Sequence, residues 1–383
     1  MSHNQPTPPR LREIASLFLK LGIFAFGGPA AHIAMMEEEV VQKRQWMDQQ
    51  HFLDLVGATS LIPGPNSTEM TMHCGHERGG AYGLFIAGAS FILPAVLITG
   101  GLAYLYVEYG QLPQVAPLLY GIKPAVLAVI LSAVIKLGGK ALKSRQLGVI
   151  GGLATLAVLL GINEIFAILG AGALGLALHG LLRLRNAPMF IPLPLLLFQA
   201  TASTSGAASA SLGKLFLTFL KVGSILFGSG YVLVAYLDGE LVQKLGWLTR
   251  PELLDAIAIG QFTPGPVLST ATFVGYQILG FWGAVAATLG IFLPSFFFVW
   301  LLNPLVPKIR ESKAAGAFLD AVNIGAVGIM AAVVLQLGAE VLPDWKAWVV
   351  AGGSALAVFG PWKVSSVWVI LGGAVLGWGL SWV

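Results

Sequence analysis

Charge is what this chain has least of. Only 10% of its 383 residues are charged, against 56% hydrophobic, and mean hydropathy is +0.80. A soluble chain of this length needs far more polar surface. Apolar runs of about 20 residues, enough to cross roughly 30 Å of hydrocarbon, recur along the sequence. The reading is a polytopic membrane protein. Cys74 is the single cysteine, which excludes an intramolecular disulfide and leaves the redox compartment unread. There is no Walker motif and no nucleophile elbow, so neither ATP hydrolysis nor covalent chemistry is indicated. No enzyme activity, cofactor or metal site is expected. The polar, proline-rich stretch 1–9 lacks a basic flank and cleavage site and is expected to precede a retained apolar segment. The pI near 9.1 reads as loop charge on a membrane protein, and nucleic acid is not an expected partner.

What the chain does have is duplication. Pro63-Gly64-Pro65 recurs as Pro264-Gly265-Pro266, 201 positions later. The same offset pairs Lys20 with Lys221, Phe26-Gly27 with Phe227-Gly228, Glu39 with Glu240, Trp46 with Trp247 and Asp54 with Asp255. An offset of 200 then pairs Leu93-Pro94 with Leu293-Pro294. Ordered matches of this kind mark two copies of one unit, expected at 11–182 and 212–383 with a linker at 183–211. Loop charges set their relative direction. Segment 136–145 carries Lys136, Lys140, Lys143 and Arg145, while its counterpart 337–346 carries Glu340, Asp344 and only Lys346. One loop earlier the bias reverses: 108–116 has no Lys or Arg, and 304–313 has Lys308, Arg310 and Lys313. Positive charge marks the cytoplasmic side, so equivalent loops face opposite ways.

The expected fold is therefore an all-α polytopic membrane protein, an inverted-topology repeat of two helical units broken at Gly-rich and Pro-Gly-Pro motifs. Each unit is expected to cross an odd number of times, about five, with the C-terminus outside. Two arrangements stay open. The Pro-Gly-Pro segment dips in and out while 146–182 forms two spans, or it crosses while 146–182 forms one broken span. Arg10, Arg12 and Lys20 favour an inside N-terminus and the second arrangement.

Proline ends helices, and irregular backbone survives in a bilayer only when buried in protein or lining a wet cavity. Paired interruptions in an inverted repeat point to a transporter's midplane site. After the breaks, Asn66 is expected to cap a helix with Glu69 in a capping box, and Thr263 to cap one with Pro264 at its first position. Two helix N-termini supply about +1 toward an anion; Lys20 and Lys221, each in an apolar run, raise this to about +3. The candidate substrate-binding residues are Lys20, Gly27, Gly28, Pro63, Gly64, Pro65, Asn66, Ser67, Lys221, Gly228, Ser229, Gly230, Gln261, Thr263, Pro264, Gly265 and Pro266. Glu69 and His32 are the candidates for proton coupling. Asp54 and Asp255 are expected as capping or interfacial residues. The cluster Met70, Met72, His73, Cys74 and His76 is expected at an exposed helix end.

Several of these motifs carry a resemblance. Phe26-Gly27-Gly28-Pro29-Ala30-Ala31-His32 and Pro63-Gly64-Pro65-Asn66-Ser67-Thr68-Glu69 resemble first-domain motifs of the chromate ion transporter (CHR) family. Phe227-Gly228-Ser229-Gly230-Tyr231 and Gly260-Gln261-Phe262-Thr263-Pro264-Gly265-Pro266 resemble those of its second domain. The resemblance spans nearly the whole chain, as in the long two-domain form. It implies a multi-pass inner-membrane secondary transporter that exports chromate and confers chromate resistance. The implied partners are chromate or a sulfate-like oxyanion and the lipid bilayer; a homodimer is allowed. A sulfate carrier, a channel and a non-transporting scaffold are the competing readings.

Overall fold

The computed structural model describes residues 8–25, 29–59, 62–110, 115–181, 210–227, 232–302, 313–361 and 364–382. All regular structure among them is helical. The first copy comprises α1 (Pro8–Phe24), α2 (Pro29–Glu37) with a π-helical turn (Glu38–Lys43), α3 (Gln49–Thr59), α4 (Asn66–Tyr109), α5 (Ala116–Ala141), α6 (Arg145–Leu159) and α7 (Glu164–Leu181). The second comprises α8 (Leu212–Ile225), α9 (Leu233–Leu237) with its π-helical turn (Asp238–Lys244), α10 (Arg250–Phe262) and α11 (Thr270–Leu302), the last preceded by a 3₁₀ turn (Val267–Ser269). It ends with α12 (Lys313–Val341), α13 (Trp345–Phe359) and α14 (Ser366–Leu380).

The first two breaks of each copy return the chain to the side it came from. Trp46 Nε1 donates to Glu13 at 3.2 Å, and Trp46 packs edge-on to Phe18. The chain after α1 therefore runs back along it. Likewise His51, at the start of α3, lies 3.3 Å from Glu77, near the end of the short arm of α4. At about 1.5 Å per residue the 11 residues of α3 reach about 16 Å, half the hydrocarbon thickness. These are re-entrant hairpins, and α3 is too short to cross by itself.

α4 and α11 each fold in two. Their backbones leave helical geometry at Gly79–Gly80 and Leu279–Gly280, where Gly80 (φ 59°) and Gly280 (φ 61°) take the left-handed conformation. In a straight helix, residues 16 apart would sit about 24 Å from one another. Instead Thr272 and Thr288 hydrogen bond at 2.8 Å. Each helix is thus a short arm (66–78; 270–278) leading from the tip to the surface and a long arm (81–109; 281–302) that spans.

The long arms run antiparallel. Phe85 stacks on Phe296 at 5.6 Å near one end, and Tyr104 meets Tyr276 near the other. The turns at Gly80 and Gly280 therefore lie on opposite faces, and the repeat is inverted, as the loop charges require. Arg78 meets Glu13 at 2.9 Å and Lys143 meets Asp320 at 2.6 Å. This places the basic 136–145 segment, the head of α12 and the start of α1 on one face. Exposed Trp282, Trp345, Trp348 and Trp378 lie toward the other, as interfacial aromatics do.

The structure takes the first of the two open arrangements. Pro-Gly-Pro dips in and out, and 146–182 forms two helices joined at Gly161. α6 runs parallel to α12 (Thr155 Oγ1 to Gly328 O, 2.9 Å), and α7 runs antiparallel to it, with Ala171 against Gly325 and Gly175 against Ala321. Yet the start of α1 still lies on the basic face, because the first break is re-entrant too. Within the described residues of the first copy the hairpins return, α4 and α5 run opposite ways, and so do α6 and α7. The described helices of the first copy leave and arrive on the same face. The expected linker 183–211 lies outside the described residues but for its last two.

Candidate functional site

The tips of the hairpins meet. The N–H of Gly64 donates to Leu226 O, at the end of α8, at 2.7 Å, and the N–H of Gly265 donates to Ala25 O, just beyond α1, at 3.0 Å. Both are 201 positions apart, so each copy's Pro-Gly-Pro caps the other copy's first helix. Both glycines have positive φ, 145° and 84°, a conformation that a side chain disfavours. Space is also absent: a Cβ on Gly64 would sit 2.2 Å from Glu69 Oε1 and 2.5 Å from Ser295 Oγ.

Around these tips Pro63, Pro65, Ser67, Gln261, Thr263, Pro264 and Pro266 assemble, and most of them are buried. Gly27, Gly28, Gly228, Ser229 and Gly230 lie outside the described residues. The capping expectations are corrected. Pro65, not Asn66, is the N-cap of α4, without a side-chain cap bond. Thr68 and Glu69 N–H groups close onto Pro65 O, so Asn66 is the first helical residue and no Asn66–Glu69 box forms. Thr263 closes α10 at its C-terminal end, its hydroxyl donating to Ile259 O at 2.9 Å. The restart comes at Pro266, one residue past the glycine, because the proline there fixes extended backbone before the 3₁₀ turn. The consequence for charge survives. The short arms of α4 and α11 begin at the tips and lead to opposite faces, so their N-termini point toward each other with about half a positive charge apiece.

Glu69 stands in the first turn of α4, fully buried, and among the described residues neither carboxyl oxygen has a hydrogen-bond partner. Beside it is Ser295 of the other copy, whose hydroxyl is equally unpartnered. Their repeat counterparts are Thr270 and Ala95, so this carboxyl–hydroxyl pair exists on one side only. His32 is buried edge-on to Phe91, with Nε2 3.0 Å from Ala25 O. A carbonyl can only accept, so Nε2 carries hydrogen, and His32 holds the same carbonyl that Gly265 reaches.

The lysines are placed differently from the tips. Lys221 is 2.5 Å from Glu240, which Lys244 also approaches. Lys20 is 3.9 Å from Glu39, which Lys43 and Arg44 also engage. Both pairs are repeat-equivalent and clasp a hairpin to itself. Counted with their glutamates, Lys20 and Lys221 add little net charge, and the sum at the tips falls from about +3 to about +1. Burial opposes ionisation of Glu39, but hydrogen bonds from Arg44 and Lys43 outweigh it and hold its carboxyl below the usual range.

Two further expectations are corrected. Met70, Met72, His73 and Cys74 are fully buried, because the short arm of α4 is enclosed by α1 and its own long arm rather than ending in water. Asp255 does not cap a helix. It lies inside α10, 3% exposed, accepting from Tyr106 at 2.8 Å and 3.5 Å from Lys123. Sequence comparison passed over Lys123 because its counterpart is Asn323. Its position in the apolar run of α5 was the available signal.

Comparison with known proteins agrees with this architecture. The family model described as "Chromate transporter" matches residues 12–176 and 213–378, one match per copy. Similar proteins include a "Chromate transport protein" of Pseudomonas aeruginosa, 32% identical over 97% of this chain and 93% of the relative. A "Probable chromate transport protein" of Synechococcus elongatus is 30% identical over 92% and 90%. A "Chromate transport protein" of Cupriavidus metallidurans is 29% identical over 98% and 94%. No solved structure matches the chain.

Proposed function

Because the chain belongs to the chromate transporter family, we propose that it is a secondary transporter carrying chromate outward across the cell's inner membrane, and so confers chromate resistance. The observation that carries this reading is the reciprocal bond between the two Pro-Gly-Pro tips and the opposite copies, Gly64 to Leu226 and Gly265 to Ala25. It converges two helix N-termini at mid-membrane, where unpaired N–H groups of the first helical turn and the helix dipoles favour an anion. The substrate site comprises Gly64, Pro65, Asn66 and Ser67 with Thr263, Gly265 and Pro266. Lys20 and Lys221 serve the hairpins. Glu69 is the coupling carboxyl: a dianion at about +1 leaves no room for a second negative charge, so proton uptake at Glu69 accompanies the anion.

Positive-inside bias puts the face bearing Arg10, Arg12 and the 136–145 segment in the cytoplasm. Alternating access comes from one copy moving against the other about the meeting tips.

Purified protein in proteoliposomes, under imposed pH and voltage gradients, tests this with chromate and sulfate as separate probes. Saturable, gradient-dependent chromate flux is expected. Absence of flux for either anion overturns transport. Sulfate flux unaffected by chromate makes it a sulfate carrier, and non-saturating conductance makes it a channel.

A further inference from the structure

The two halves of the route are not chemically alike. On the α4 long arm, Thr99 Oγ1 lies 3.2 Å from Thr263 Oγ1 and 3.1 Å from Ser269 Oγ, at the level of the second tip. Two helical turns further, about 10 Å along the same face, Tyr106 donates to Asp255 Oδ2, which Lys123 Nζ approaches at 3.5 Å. α4, α10 and α5 thus share a polar column from the tips toward the face opposite the basic segments. The equivalents of Thr99 and Thr263 are Val299 and Ile62, both buried in the apolar core. The equivalents of Tyr106 and Lys123 are Val306 and Asn323. Of the column's members only Ser269 and Asp255 have polar equivalents, Thr68 and Asp54, so its hydroxyl step at Thr99 and Thr263 and its Tyr106–Lys123 end belong to one copy.

At its end the ion pair is loose. Asp255 is buried, its Oδ1 has no hydrogen-bond partner among the described residues, and Tyr106 holds its other oxygen. Lys123 keeps a quarter of its side chain exposed. A lysine within a membrane helix is costly to insert, and an ion pair there is weak support for stability, since an apolar pair serves as well. Among the described residues the ammonium has one ion-pair partner, at 3.5 Å, and spare donors.

We propose that Lys123 is the anion-recognition residue of the outer half-route and that Asp255 is its resident competitor. With no anion near, Asp255 occupies Lys123 and closes the column. A tetrahedral oxyanion leaving the tips, stepping along the hydroxyls of Thr99, Thr263 and Ser269, displaces the carboxylate while Tyr106 retains it. This rests on the transport reading above.

Initial-rate chromate and sulfate flux in proteoliposomes compares wild type with Lys123→Gln, Lys123→Arg, Asp255→Asn and the exchanged pair Lys123→Asp/Asp255→Lys. Lys123→Gln is expected to raise KM about tenfold or more, as loss of a charged hydrogen bond does, with kcat changing less. Lys123→Arg stays near wild type, and Asp255→Asn lowers KM by removing the competitor. The exchanged pair recovers thermal stability without recovering KM. An unchanged KM in Lys123→Gln, or a wild-type KM in the exchanged pair, overturns the inference. If Lys123→Gln does not fold, Asp255→Asn decides: a KM at or above wild type overturns it. A wild type that carries neither anion overturns the transport reading and this inference with it.

Discussion

The amide of Gly64 donates to the carbonyl of Leu226 at 2.7 Å, and the symmetry-related bond, Gly265 to Ala25, is 3.0 Å. Each Pro-Gly-Pro leaves backbone without helical partners in the buried interior. The reciprocal bonds satisfy part of that backbone from the opposite copy, so neither half's break is complete alone.

Gly64→Ala places a methyl against Glu69 and Ser295 and forces an alanine to φ 145°. Strain of roughly 1–3 kcal/mol is expected, with lower thermal stability and loss of transport. Gly246→Ala, at a surface turn with positive φ but nothing within 4 Å, is the control. It should lose stability from strain alone and keep its flux.

Lys221→Ala removes the nearer of two cations from Glu240, which is 4% exposed and keeps only Lys244 at 3.4 Å, whereas Lys20→Ala removes a side chain 63% exposed. The first is expected to cost about 1.5–3 kcal/mol as a lost charged hydrogen bond, the second less than about 1 kcal/mol. Lys221→Met with Glu240→Gln should recover most of the loss. Thermal unfolding in nanodiscs reads all of these. Equal shifts for the two lysine variants would contradict their assignment as unequal clasps.

Tyr120 donates to Asp344 across the copies, and that bond holds the Asp344 carboxyl below the ordinary range. A depressed carboxylate stabilises the fold above its unfolded value and loses that contribution as pH falls through the folded one. Tyr120→Phe should therefore lower the unfolding temperature at neutral pH, with the gap from wild type closing as pH falls below the ordinary carboxylate range. A gap that persists at low pH would assign it to packing instead.

Glu69→Gln keeps the volume at the tip and removes the ionisable group. It is expected to fold and to exchange chromate across the membrane at equilibrium, while a pH gradient no longer drives net flux. Wild-type stimulation by the gradient in this variant would remove Glu69 from the coupling.

Much of the fold was legible because duplication writes itself twice. The 201-residue offset located the tips, and loop charge gave their opposed directions. The re-entrant course of the first break was not legible, since Gly27-Gly28 reads equally as a site of close helix packing. Capping was misread by one residue at Asn66 because a proline at the N-cap leaves no side-chain signature. The column ending at Tyr106, Asp255 and Lys123 was missed for a different reason. Its members come from α4, α10 and α5, and repeat comparison favours what both halves share: Tyr106 and Lys123 belong to one copy, and Asp255, which is shared with Asp54, was read only as a cap or interfacial residue.

The most direct test of the central claim is a structure in a lipid nanodisc with chromate bound. The account predicts oxyanion density at mid-membrane between Gly64–Ser67 and Thr263–Pro266, bounded by Ala25 and Leu226. Density confined to Lys20 and Lys221, or lying away from the meeting tips altogether, would contradict it.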